Sequence, residues 1–340
     1  MPAPIIAPDR PTGNCAGWVH HGEGTRCAGL GAVGRRSDGG LEHAPCCAIL
    51  LLVSDIVLSP EWAQLDVEAL CGTIMVLGAS DTGKSTLARY LYQALCHCGV
   101  RAAYLDGDVG QSTLGLPTTM TVALGEGSGD ERFPPRGART TYFVGATTPR
   151  GHMLPVIAGS YRLQQQALAL RARAIVVDTT GLVDRHEGGK ALKQWKIEVM
   201  APSVVIGLQR GSELEPVLWP LRRDGRVRVV ELPVSPYVVA RSREERMARR
   251  QEMLAGYFRN AGRHALSLRR LAVYELERLA PGALLALQDA QGFSLSLGAV
   301  ELIDRLAGTI VVRAQVANLE GVHGLRFGSQ RWDLAGQREI

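Results

Sequence analysis

The stretch "TIMVLGASDTGKSTLARYLYQAL", Thr73 to Leu95, decides the fold. It begins as an unbroken apolar run, Thr73–Leu77, which predicts a strand buried on both faces. A turn bracketed by Gly78 and Gly83 follows, and then a helical pattern over Lys84–Cys96. Strand, glycine turn and helix in that order predict the first unit of a parallel sheet covered by helices.

The turn itself carries chemistry. Gly78-x-x-x-x-Gly83-Lys84-Ser85 between a strand and a helix is the context of a P-loop. The glycines let the N–H groups of Gly78, Ala79, Ser80, Asp81, Thr82, Gly83, Lys84, Ser85 and Thr86 gather on phosphate oxygens, and the helix N-terminus adds its positive end. Lys84 would reach the outer phosphates of ATP or GTP, and the Ser85 hydroxyl would ligate Mg²⁺. A glycine-rich turn that binds nothing is the competing reading, and the strand–helix context weighs against it. The motif implies a nucleotide and leaves the reaction open.

Bulk properties set outer bounds. A chain of 340 residues is long enough for two domains, or for one large domain with an appendage. With 46% hydrophobic and 21% charged residues it reads as an ordinary soluble protein. The net charge of +5 suits a polyanionic partner without demanding one. Seven cysteines, all in the first third, are too sparse for a disulfide scaffold and point to a reducing cytoplasm. Zinc among Cys15, His20, His21, Cys27, His43 and Cys46 is the alternative, and no paired C-x-x-C spacing supports it. The longest apolar run, "CCAILLLV" at Cys46–Val53, is too short to span a bilayer, so no membrane role is expected.

Residues 1–55 are rich in Gly, Pro, His and Cys without a sustained period, which predicts a poorly structured tail. A short helix near "LSPEWAQLDVEALCG" leads into a P-loop domain over 56–260. Further strands are predicted at Ala102–Asp106, Tyr142–Gly145, Ala174–Asp178, Val204–Leu208 and Val227–Leu232. Helices are predicted at Tyr161–Ala172, Lys190–Met200 and Ser242–Phe258. After Asn260 short alternating strands with turns at Asp289–Gly292, Ala307–Gly308 and Glu320–Gly321 predict a small β-rich domain over 261–340, of a kind that can close into a barrel.

"AAYLDGDVGQS" places Asp106 and Asp108 at the end of the second strand, the edge where ligands bind in such sheets. Carboxylates there can hold the metal's water shell or take a proton from an attacking hydroxyl. Acidic residues also end strands without any chemical role. "LKQWKIE" offers Lys193, Trp195 and Lys196 as a set that could grip a nucleic-acid strand, although a tryptophan at helical spacing more often packs inside.

The loop with its internal aspartate, followed 24 residues after Lys84 by Asp108 in the Asp-x-Asp-x-Gly-Gln segment Asp106–Gln111, resembles the polynucleotide 5′-hydroxyl kinases. That family includes the kinase subunit of the mRNA cleavage and polyadenylation machinery and the kinase of pre-ribosomal RNA processing. "YFVGATTPRGH" (Tyr142–His152), "VVDTTGLV" (Val176–Val183) and "RSREERMARRQEMLAGYF" (Arg241–Phe258) resemble its substrate-side loop, its Thr-x-Gly clasp and its arginine-rich lid helix.

The resemblance implies transfer of the γ-phosphate of ATP or GTP to the 5′-hydroxyl of RNA or DNA. It implies Asp108 as general base, Asp106 supporting Mg²⁺ beside Ser85, and Arg246 and Arg250 closing on the phosphates. Gln111, Thr147, Thr179 and Gly181 would then hold the acceptor strand. The clasp departs from the family pattern, since Leu182 stands where a tryptophan often follows and base stacking is worth about 1–3 kcal/mol. Relatives in eukaryotes also carry an N-terminal β-domain with no counterpart in residues 1–55. A nucleotide-binding assembly factor without turnover and a P-loop ATPase or GTPase are the other classes compatible with these motifs. The sequence leaves protein partners open.

Overall fold

A computed structural model describes residues 56–125 and 132–340. The expected tail, the cysteine–histidine group and the apolar run at Cys46–Val53 lie outside the described residues. After a short helix α1 (Pro60–Ala63), β1 (Gly72–Gly78) feeds the glycine turn and α2 (Lys84–His97), as the opening stretch requires. There follow β2 (Ala102–Gly107), β3 (Thr119–Leu124), β4 (Arg139–Phe143), α3 (Met153–Ala169) and β5 (Ala174–Thr179). Next come α4 (Gly189–Met200), β6 (Val204–Gln209), α5 (Glu215–Asp224), β7 (Arg228–Pro233) and the long α6 (Arg243–Arg259).

These strands form one sheet in the order β4-β3-β2-β5-β1-β6-β7. β2, β5, β1, β6 and β7 pair in parallel, while β3 and β4 join the β2 edge antiparallel. The expected parallel sheet is present, and β3 and β4 extend it with an antiparallel edge that makes the whole sheet mixed. Alternate residues of each central strand face opposite layers. Ile74 and Val76 meet Leu87, Leu91 and Leu95 of α2 on one side. Met75 and Leu77 belong with Leu163 of α3, Leu192 and Ile197 of α4 and Leu218 of α5 on the other. Burial on both faces is why these strands read as continuous apolar runs.

The C-terminal segment supplies β8 (Gly262–Ser267), β9 (Ala272–Tyr274), β10 (Ala283–Gln288), β11 (Ser294–Asp304), β12 (Thr309–Ala314), β13 (Gly324–Asp333) and β14 (Arg338–Glu339). Six of them run in the order β14-β13-β10-β11-β12-β8, and β9 adds to β13 in parallel. The path from β14 to β8 is open, so this is a sheet and not a closed barrel.

The two sheets share a core. Phe143 of β4, Leu254 and Phe258 of α6, and Leu284, Leu297 and Trp332 of the second sheet pack as one cluster. At the seam Gly145 meets Gly328, where the Ser329 N–H donates to the Gly145 carbonyl at 2.8 Å. A Cβ on residue 328 would lie 2.7 Å from that same oxygen and 2.9 Å from the Phe143 ring, so only glycine permits this approach. Among the described residues no helix is long and apolar enough to cross a membrane.

Candidate active site

The C-terminal ends of β1, β2 and β5 open on a cleft of about 880 Å³. Its floor is the P-loop, with Ser80, Asp81, Gly83, Lys84, Ser85 and Thr86 on the wall. Gly78, Ala79 and Thr82 complete the turn behind them, and the Thr82 hydroxyl donates to the Ala79 carbonyl at 3.0 Å. Lys84 is buried and its Nζ donates to the same carbonyl at 2.5 Å. Burial holds its pKa below the usual lysine value against the pull of Asp178, Asp108 and Asp81.

The two aspartates predicted after β2 have different environments. Asp106 is fully buried, and its Oδ2 accepts from the Ser112 hydroxyl (2.6 Å), the Thr113 N–H (2.6 Å) and the Leu114 N–H (2.9 Å). Its Oδ1 accepts from the Asp108 N–H at 3.2 Å. Both oxygens are thus engaged in shaping the turn, and burial raises its pKa against those bonds. Asp108 lines the cleft. Its Oδ1 accepts from the N–H groups of Gly110 (2.9 Å) and Gln111 (3.1 Å), while Oδ2 receives no hydrogen bond among the described residues.

Sequence reading left Asp178 without a role. It ends "AIVVD" on β5, directly beside Asp106 in the parallel register. Tyr104 donates to its Oδ2 at 3.2 Å, the Ser85 hydroxyl lies beside the carboxylate, and among the described residues its buried Oδ1 accepts no hydrogen bond. Burial, then the Asp106 charge, pushes its pKa up to about 7, with Ser85 and Lys84 pulling the other way. A buried acceptor left open next to the Ser85 hydroxyl has the chemistry of a magnesium water-shell ligand. Among the described residues no three His, Cys, Asp or Glu side chains gather into a metal site of their own.

Beyond the P-loop, Gln111, Thr147, Thr148, Pro149, Arg150, Gly181, Leu182 and Val183 also face the cleft. Gln111 donates from Nε2 to the Arg246 carbonyl at 3.3 Å, and its Oε1 is buried without a partner among the described residues. Gly181 lies flat on the P-loop, where a Cβ would come within 2.8 Å of the Ser80 N–H nitrogen. Thr179 is placed differently from its expected role. Its hydroxyl is buried, donates to the Val76 carbonyl at 2.7 Å and accepts from Lys193 Nζ at 2.9 Å. It anchors the turn that carries Gly181 and lies beneath the cleft surface.

α6 closes the cleft from above. A capping box starts it, with the Glu245 N–H donating to Ser242 Oγ and the Ser242 N–H to the Glu245 carboxylate. Arg241, Arg246, Arg249 and Arg250 all line the cleft. Arg246 pairs with Asp81 of the P-loop at 2.6 Å, and Arg250 Nε is buried without a partner among the described residues. Arg249 is held below the usual arginine value by burial first and Arg241 second.

The proposed strand-gripping set is overturned. Lys193 and Lys196 are fully buried on the core face of α4, while Trp195 is 59% exposed on the opposite face. Leu192, Lys193, Lys196, Ile197 and Met200 fall on one side of the helix, which turns Trp195 away from the protein.

Sheet order, loop and lid define a P-loop nucleotide-binding protein. Within that class the chain belongs to the mRNA cleavage and polyadenylation factor CLP1 P-loop family, whose model matches residues 78–260, more than half of the sequence. It is 36% identical over 188 residues to a polyribonucleotide 5′-hydroxyl-kinase of Methanocaldococcus jannaschii, covering 55% of this chain and 50% of that one. A polyribonucleotide 5′-hydroxyl-kinase of Pyrococcus furiosus is 34% identical over 203 residues, 59% of this chain and 54% of its own. The chain therefore spans about half the length of these two relatives. A third, from Thermococcus kodakarensis, is 27% identical over 321 residues, 78% of this chain and 89% of its own. The fold is similar to the solved structure of the wild-type Clp1p–Pcf11p (454–563) complex, with a TM-score of 0.58 at 14% identity over 76% of this chain and 74% of that one.

Proposed function

We propose that this chain transfers the γ-phosphate of ATP or GTP to the 5′-hydroxyl of a polynucleotide. The observation that carries the reading is the Asp108 oxygen left open between the P-loop and the acceptor loops, in a cleft roofed by arginines. The P-loop amides and Lys84 hold the phosphates, so Lys84 exchanges the Ala79 carbonyl for a phosphate oxygen. Asp108 takes the proton of the 5′-hydroxyl as that oxygen bonds to the γ-phosphorus, and the bond from phosphorus to the nucleoside diphosphate breaks. Arg246 and Arg250 offset the charge that spreads over the transferring group.

Ser85 and Asp178 fit Mg²⁺, with Asp178 preferred over Asp106 because both Asp106 oxygens are engaged, whereas Asp178 Oδ1 accepts no hydrogen bond among the described residues. When bound, the ion neutralises phosphate charge. Gln111, Thr147 and Gly181 border the acceptor path, and Thr179 supports it from below. The test is incubation with labelled ATP and 5′-hydroxyl RNA and DNA oligonucleotides, scoring label on the oligonucleotide against free phosphate. Label on the 5′ end is the expected result. Binding of ATP without any labelled product would leave the assembly-factor reading, and release of phosphate alone the ATPase reading.

A further inference from the structure

α4 carries two lysines into the interior, and the phosphoryl transfer described above uses neither. Lys193 is accounted for, since its Nζ donates to the Thr179 hydroxyl and to the Thr180 carbonyl. Lys196 is not. Its Nζ is buried and has no hydrogen-bond partner among the described residues. An uncompensated buried charge is among the most destabilising features a fold can hold, so one that is kept needs a compensating partner nearby.

The surroundings of that amine point to one. A Cβ on residue 107 would come within 3.3 Å of Lys196 Nζ, so the amine lies against the end of β2 at Gly107. The next residue is Asp108. Burial lowers the Lys196 pKa to about 8, and the charges that favour its ammonium against that burial are Asp108 first and Asp178 second. Asp178 has Lys84 and Ser85 beside it and a hydrogen bond from Tyr104. Asp108 is held only through Oδ1, by two backbone N–H groups. A carboxylate fixed at one oxygen can pivot about it, and a positive charge behind the strand end limits that pivot.

We propose that Lys196 is a positioning residue for the transfer, its buried ammonium beneath Gly107 holding the Asp108 carboxylate with the open oxygen toward the acceptor hydroxyl. This role rests on the kinase reading. Lys196 touches neither nucleotide nor acceptor, because it does not line the cleft. Its removal should therefore change the rate of transfer and leave ATP binding as it was. Misplacement of a reacting group by about 1 Å can cost on the order of 100-fold in rate.

A double-mutant cycle tests the role on the full chain. Lys196→Met keeps the bulk and removes the charge, and Asp108→Asn removes the base. Transfer kcat, KM for ATP and melting temperature are measured for wild type, both single variants and the double variant. K196M is expected to lower kcat by about 10- to 100-fold with KM for ATP unchanged. In the D108N background it is expected to change kcat by less than about twofold, because its partner is already disabled. Multiplying effects in the double variant would mean that Lys196 acts independently of Asp108 and would overturn the proposal. If K196M does not fold, Lys196→Gln goes through the same cycle. Failure of both to fold assigns the amine to stability alone and also overturns the role. A wild type that labels no 5′ end removes the kinase reading and this role with it, whereas an active wild type with multiplying effects removes this role alone.

Discussion

Lys84 and Asp108 line the same cleft, and their replacements should fail differently. Lys84→Ala is expected to weaken ATP binding and abolish transfer in a protein that still folds. Asp108→Asn should bind ATP normally and lose about 10²–10⁴-fold in transfer, the usual contribution of a general base. Calorimetric ATP titration and the labelling assay separate the two, and a loss below about tenfold for D108N would remove Asp108 as the base. Asp178 gives a pH signature. Its carboxyl is raised to about 7 in the folded protein, by burial and then Asp106, with Asp108 adding and Ser85 and Lys84 opposing. Unfolded, it ionises at about 4. Across that window the folded chain holds a proton the unfolded chain has released, so the residue's contribution to stability falls as pH rises. In metal-free buffer the melting-temperature difference between Asp178→Asn and wild type should therefore grow in favour of the variant from about pH 4 to pH 7 and then level off. A difference independent of pH would mean that Asp178 is ionised throughout. Lys84 and Ser85 were legible from the P-loop pattern and Asp108 from the resemblance, and all three line the cleft. Asp178 was visible as the end of an apolar strand, yet only the register that sets it beside Asp106 gives it a role. The two lysines of α4 misled because lysine ordinarily seeks water, and here the helix face they share is the one turned inward.

At the scale of elements, α6 depends on its first turn to hold Arg246 against Asp81. Ser242→Ala removes the capping box and is expected to cost about 1 kcal/mol in denaturant unfolding. The same variant should raise KM for ATP, because a frayed first turn no longer presents Arg246. An unchanged KM would separate the cap from nucleotide binding. β1, β2, β5, β6 and β7 were each predicted within a few residues. The first four carry apolar runs that are unmistakable because both faces are covered, whereas β7 is an edge strand without a buried residue. β3 and α5 were not foreseen. "TMTVAL" follows a glycine-rich turn and alternates Thr with apolar residues, yet is buried throughout as an inner strand. α5 contains Pro220 within its ten residues, a signal that argues against a helix interior. It survives because Val217, Leu218 and Leu221 still reach the core.

For the whole molecule, the decisive fact is the core shared between the sheets. The sequence suggested a boundary at 260/261, where the texture changes from helical to alternating. Phe143, Leu254 and Phe258 lie on the first side of that boundary and pack against Leu284, Leu297 and Trp332 on the second. A chain ended at residue 260 should therefore aggregate or melt well below the full protein, measured by thermal unfolding and light scattering. A soluble fragment with the parent's melting temperature would establish an independent domain. The glycine seam carries a different consequence. No residue beyond Arg250 lines the cleft, so the second sheet is a bystander to the chemistry by contact. Yet Ser329 holds the Gly145 carbonyl, and two residues on the Thr147 carbonyl packs where a Cβ of Gly110 would come within 2.6 Å. The acceptor wall thus works like a hinge leaf screwed to a frame outside the cleft. Gly328→Ala crowds the fixing point and should cost about 1–3 kcal/mol in stability. Its kinetic mark should be a raised KM for the oligonucleotide alongside an unaltered KM for ATP. The distant sheet would then be a determinant of which strands are accepted, acting through leverage on a loop it holds at one end.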